Sequence, residues 1–153
     1  MIKQFKLPEQ TSTPNLREMR EEDVPQVREL LNQYLNRFDF APIFETDEDV
    51  KHWILPHDKV VWSYVVQDPE TKKITDCFSF YSLPSSVIGN PKHNTLNAAY
   101  MFYYAIDLST HEDKDKQHKY IKKRLNELAH DALILAKKVM KFMIKKKRKL
   151  IDH

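Results

Sequence analysis

The chain has 153 residues, 41% of them apolar, which suits one domain with a substantial core. Its single glycine, Gly89, excludes both a Walker phosphate loop and a dinucleotide fingerprint, and its single cysteine, Cys77, excludes a disulfide framework. The net charge of +3 is uneven: eight cations lie in residues 137–149, and setting them and Asp152 aside leaves 17 basic against 21 acidic residues, so the body does not suit nucleic acid. No apolar run approaches the roughly 18 residues of a membrane span, and residues 1–5 do not read as a signal peptide. The lone cysteine fits a reducing, cytoplasmic location.

Taken in order, residues 1–15 read as an extended lead-in, because Pro8, Pro14 and the Thr11-Ser12-Thr13 cluster discourage helix. Leu16-Arg17-Glu18-Met19 reads as a short strand. Glu21, Glu22 and Asp23 supply acid for a first helical turn, where Pro25 is tolerated. Val24, Val27, Leu30, Leu31, Tyr34 and Phe38 then recur at helical spacing, predicting an amphipathic helix to about Arg37. Thr46 with Asp49 three residues on predicts the cap of a second, shorter helix that ends before Pro56. Residues 60–66 are a strand, and residues 68–73 the turn of a hairpin.

The stretch 74–107 organises the rest. Two aromatic-rich runs, 74–83 and 98–107, flank a loop holding Pro84, Ser85, Ser86, Gly89, Asn90 and Pro91. Aromatics on both faces of each run predict the centre of a sheet covered on both sides. From about Gln117 to at least Lys138 a long helix follows, with Ile121, Leu125, Leu128, Ala132, Leu135 and Val139 as its seam. The order of strand, helix, helix, three strands and helix predicts an α+β domain with a largely antiparallel sheet.

Five collinear motifs between residues 5 and 138 carry a resemblance. They are Phe5-Lys6-Leu7-Pro8-Glu9 with Leu16-Arg17-Glu18-Met19, and Gln33-Tyr34 with Arg37-Phe38. Then come Ser63-Tyr64-Val65-Val66 with Ile74-Thr75-Asp76, and Phe78-Ser79-Phe80-Tyr81-Ser82-Leu83-Pro84. The last is Leu125-Asn126-Glu127-Leu128 leading to Asp131-Ala132-Leu133-Ile134-Leu135-Ala136-Lys137. The set resembles the second half of the eukaryotic glycylpeptide N-tetradecanoyltransferases, the N-myristoyltransferases. That resemblance implies a GNAT-like acyltransferase lobe over residues 1–138, which forms much of the peptide groove for glycine-initiated protein N-termini. Myristoyl-CoA, the family's co-substrate, belongs to the other lobe, so this lobe is expected to bind no cofactor. By resemblance Ser85 and Tyr100 line the groove, with Phe80 and Leu83 as its apolar wall. By spacing alone Tyr100 reads as core and Ser85 as an ordinary turn residue.

The implied reaction passes an acyl group from a thioester to a glycine amine, which needs a base and oxyanion donors. In the family the base is the C-terminal carboxylate, reached after strands and a Gly-rich segment not found in this sequence, so the final strands and the first lobe are expected to be missing. No catalytic residue is assigned, and the chain alone is expected to be inactive. Residues 139–153 form a basic, non-family tail. With the preceding lysine codon ending in G, reading codons 139–144 from that last base gives Gly-x-Glu-(Val or Ile)-(Tyr or His)-Asp, near the family's Gly-Phe-Asp-Val-Phe-Asn. The tail is therefore expected to come from a frameshift or misjoined exon. Taken literally it reads as a membrane-surface helix or a nuclear-localisation-like run, and the body alternatively as a non-catalytic peptide-binding module. His52, His57, His111, His118 and His130 follow no ligand spacing, so no metal is expected. Cys77 reads as a packed thiol.

Overall fold

A computed structural model describes residues 6–89, 95–110 and 113–151. In order they form β1 (Leu16–Glu18), a 3-10 turn (Glu21–Asp23), α1 (Val24–Leu35), α2 (Asp47–Trp53), β2 (Val61–Gln67), β3 (Ile74–Ser86), β4 (Thr95–Ile106) and α3 (Lys114–Ile151). The strands make one antiparallel sheet in sequence order, giving the α+β architecture expected. Asn90, Pro91 and His111 lie outside the described residues. The helix α3 runs unbroken across the boundary expected at 138/139.

Local chemistry sets the element ends. Thr46 Oγ1 accepts from the Asp49 amide at 3.2 Å while the Asp49 carboxylate accepts from the Thr46 amide at 2.9 Å, a reciprocal cap that starts α2. Pro25 sits in the first turn of α1, where its missing N–H breaks no helical bond. In the β2–β3 turn the Asp68 carboxylate accepts from the amides of Glu70 and Thr71 at 2.9 and 2.8 Å. Asn32 pins the α1–α2 connection by donating to Phe44 O at 2.9 Å and accepting from Phe44 N at 3.0 Å. That anchoring buries Phe44, whose ring meets Tyr103 edge-on at 5.3 Å.

Residues 76–80 of β3 are all buried, so both faces of the strand are covered there. Ser63, paired with Ser79, donates its hydroxyl to Ile54 O at the end of α2. Asp76, paired with Val66 on the opposite face, accepts from Arg124 of α3 at 3.0 and 2.8 Å. The side-chain alternation of strands thus puts α2 and α3 on opposite sides of the sheet. The core draws Val24, Val27, Leu30 and Leu31 from α1, Val65 and Phe78 from the strands, and Leu128 and Ala132 from α3.

Three buried carboxylates tie segments together, two of them across long stretches of chain. Besides Asp76, Asp23 takes a bidentate Arg17 at 2.7 Å on each oxygen and the Arg20 amide at 2.8 Å. Asp131 of α3 accepts from the Ser12 and Thr13 amides at 2.8 and 2.9 Å, fastening the lead-in. Each is buried and fully engaged, as a dry charge requires.

Two expectations change. The strand β3 does not end at Leu83 but runs through Pro84 and Ser85 to Ser86. Ser82 N donates to Val60 O, so even-numbered residues here turn their amides toward β2, which has ended by the time the chain reaches Pro84. The proline therefore removes no ladder bond. The second run is also not central: β4 is the edge of the described sheet, and cover stops after Phe80.

Candidate functional site

Beyond Phe80 the hairpin of β3 and β4 becomes largely exposed. Its register pairs Tyr81 with Tyr100, Leu83 with Ala98 and Ser85 with Leu96, with no bulge in this half. Cross-strand partners share a face, so Tyr81, Leu83, Ser85, Leu96, Ala98 and Tyr100 form one continuous surface. Leu83, Leu96 and Tyr100 are 45%, 56% and 44% exposed. The rings of Tyr81 and Tyr100 stack at 5.7 Å and 22°, and Phe102 meets Tyr81 edge-on at 5.5 Å.

Ser85, Leu83 and Tyr100, three of the four residues singled out from the sequence, therefore meet on one open face. Tyr100 is not core, contrary to its spacing, because β4 lies at the edge of the described sheet and leaves the residue 44% exposed even with Tyr81 stacked against it. Ser85 is not in a loop but in a strand, which fixes its direction. Phe80 does not belong to this face. It points to the opposite side, is 2% exposed, and stacks on Trp62 at 5.7 Å and Tyr64 at 6.1 Å. It is core. Tyr81, Leu96 and Ala98 were not singled out; their alternation was legible, but only the pairing register joins them to Ser85.

The electrostatics of the face are simple. No charged side chain occurs in residues 77–89 or 95–106. At the bulge, Ser79 Oγ donates to Tyr103 O at 3.1 Å and accepts from Tyr103 N at 3.0 Å, satisfying backbone groups that the ladder skips. Cys77 is buried, and burial, with Asp76 beside it, pushes its thiol up to about 12. It is a packed thiol and not a nucleophile. Among the described residues no three His, Cys, Asp or Glu side chains gather as a metal would need, and no helix is long and apolar enough to cross a membrane. Two hollows of the described surface lie away from it, one beside Phe38, Pro42 and Ile43 and another between Pro8 and Ile134. The face is open, with hydroxyls set among apolar groups.

The sequence matches the family described as myristoyl-CoA:protein N-myristoyltransferase, C-terminal domain, over residues 1–147. The chain belongs to this family. It is 51% identical to the glycylpeptide N-tetradecanoyltransferase of Schizosaccharomyces pombe over 139 residues, which is 88% of this chain and 30% of that protein. The Arabidopsis thaliana glycylpeptide N-tetradecanoyltransferase 1 is 50% identical over 102 residues, 67% of this chain and 23% of that one. The fold superposes on the Saccharomyces cerevisiae N-myristoyltransferase crystallised with bound myristoyl-CoA, with a TM-score of 0.82 and 41% identity, covering 90% of this chain and 33% of that one. The chain thus spans about a third of the length of the N-myristoyltransferases it matches.

Proposed function

We propose that this chain is the peptide-binding part of a glycylpeptide N-tetradecanoyltransferase. Its hairpin face would hold a glycine-initiated N-terminus while myristoyl-CoA is bound outside this lobe. The observation that carries the reading is the register that brings Leu83, Ser85 and Tyr100 to one exposed, uncharged surface. The Ser85 hydroxyl donates and accepts, which suits the amides and carbonyls of an extended peptide. The Tyr100 ring supplies an apolar wall with a polar tip, and Tyr81 stacked behind it limits its rotation. Residues 1–138 carry this lobe, and the setting we assign is the cytoplasm.

Transfer needs more than this face offers. A terminal glycine amine has a pKa of about 8, so a base must take its proton as it attacks the thioester. The described part of the face carries no carboxylate or imidazole, and its backbone amides are engaged in the sheet ladder. The chain alone is therefore expected to bind peptide without transferring an acyl group.

The test is myristoyl transfer from labelled myristoyl-CoA to a glycine-initiated octapeptide, by the 153-residue chain alone and with the remaining portion of an N-myristoyltransferase made separately. Activity only in the mixture supports the reading. Activity of the chain alone refutes it, and peptide binding without transfer in either arrangement makes the chain a peptide-capture module.

A further inference from the structure

The helix α3 holds most of the molecule's positive charge. Its 38 residues, about 57 Å of helix, carry 14 Lys and Arg against 3 Asp and Glu, a net +11. The rest of the chain holds the remaining 11 basic and 19 acidic residues, a net −8. Two of the three acids of α3 are already engaged: Asp131 accepts from the Ser12 and Thr13 amides, and Glu127 takes Arg124 Nη1 at 3.2 Å. Lys116 and Lys123 reach Asp113 and Glu127 at 3.8 and 4.0 Å, exposed pairs that neutralise little. Lys119, Lys122, Lys137 and Lys138 are exposed as well. Past Asp131 no acid follows until Asp152, and Lys137, Lys141, Lys145 and Arg148 recur at intervals of four, four and three, the helical repeat.

Apolar residues keep the same repeat. Among the described side chains, the core takes α3 as far as Val139. Of the twelve residues that follow it in the helix, six are Met, Phe, Ile or Leu. Met140, Ile144 and Ile151 recur at four and seven, and Met143 and Leu150 at seven. Basic and apolar residues interleaved at that period suit the boundary of a bilayer, where lysine stems lie along apolar groups and their heads meet phosphate. A nucleic-acid duplex offers phosphate charge, but no apolar layer to take Met140, Phe142, Met143 and Ile144 out of water. We infer that α3 docks the chain on an anionic lipid surface through residues 137–151, with the lysines at 116–123 adding to the attraction. Charge complementarity selects this partner: the cytoplasmic leaflet is negative, and each Lys or Arg close to it strengthens partition by about fivefold. The inference goes beyond the peptide-binding reading and uses neither Ser85 nor Tyr100.

The experiment is co-sedimentation of the 153-residue chain with vesicles of phosphatidylcholine, alone or with about a third phosphatidylserine as the anionic lipid. Salt is raised from about 0.1 to 0.5 M, which shortens the screening length from about 10 Å to about 4 Å. Binding should be about tenfold or more tighter on the anionic vesicles and should weaken steeply with salt. Lys137→Gln/Lys141→Gln/Lys145→Gln/Arg148→Gln should weaken it by about a hundredfold or more. Phe142→Ser/Ile144→Ser should weaken it by about tenfold or more at either salt concentration. A cooperative melt checks that each variant folds. Should these fail to fold, Lys137→Gln/Lys138→Gln, at two exposed positions, should still cost about tenfold or more. Equal binding to neutral and anionic vesicles overturns the inference, as does binding indifferent to the cation variants. So does a duplex oligonucleotide held more tightly than the anionic vesicles, since phosphate alone would then be the ligand.

Discussion

Replacing Arg124 by methionine asks how firmly α3 is held to the sheet by charge. Asp76 is 1% exposed and receives Arg124 Nε at 3.0 Å and Nη2 at 2.8 Å. The hydrogen bonds to Asp76 raise the guanidinium pKa above its ordinary value, so the cation persists at every working pH. In Arg124→Met the carboxylate would keep the Thr75 hydroxyl, 2.8 Å away. Breaking a buried pair by removing one partner costs about 3–5 kcal/mol. The surviving hydroxyl and the partial exposure of Arg124 put this case near the lower end, about 3 kcal/mol. For a domain of this size that lowers Tm by roughly 6–12 °C. Equilibrium urea unfolding and calorimetry read the change directly. Asp76→Asn/Arg124→Met, which removes the stranded charge, should recover about 1–2 kcal/mol of the loss. A single variant within 1 kcal/mol of the parent, or a double variant no better than the single, would refute the argument.

Phe80 and Tyr100 should separate cleanly. Phe80→Ala empties a core site and should cost about 3–5 kcal/mol, whereas Tyr100→Ala should cost only about 1 kcal/mol of stability while weakening peptide binding in a titration; equal stability losses would contradict the face assignment. Cys77, with its thiol near 12, should resist maleimide at pH 8 until the chain unfolds, and labelling of the native protein within minutes would show the strand to be open. Burial pushes the Asp131 carboxyl up, but hydrogen bonds from Thr13 and Ser12 outweigh it and hold it below the usual carboxylate range. Its contribution is therefore complete above the unfolded value of about 4 and is lost as pH falls through the lower folded value. The urea midpoint should drop between pH 5 and pH 3, and less steeply in Asp131→Asn; parallel pH profiles would remove Asp131 from the account.

The family was legible in the sequence because its motifs are local and collinear, and the match to N-myristoyltransferases bears that out. Helix and strand identities were legible for a similar reason: spacings of 3.6 and 2 residues are written within each segment. Thr46 and Asp49 announced their cap, and Leu16-Arg17-Glu18-Met19 a strand that the structure ends one residue earlier, at Glu18.

Position within the sheet is not local. The aromatic alternation of residues 98–107 reads the same for a central strand and for an edge strand, since side-chain period says nothing about how many neighbours a strand has. Only the tertiary arrangement put β4 at the edge and left Tyr100 open. Register likewise depends on pairing across a turn. A shift of one residue would have moved Ser85 and Leu83 to the other face, and the observed pairing separates Phe80 from them. The buried ties are non-local as well: Asp76 and Arg124 are 48 residues apart, and Asp131 meets Ser12 across 119. Local spacing specified which segments are strands and helices; long-range pairing decided which residues share a surface.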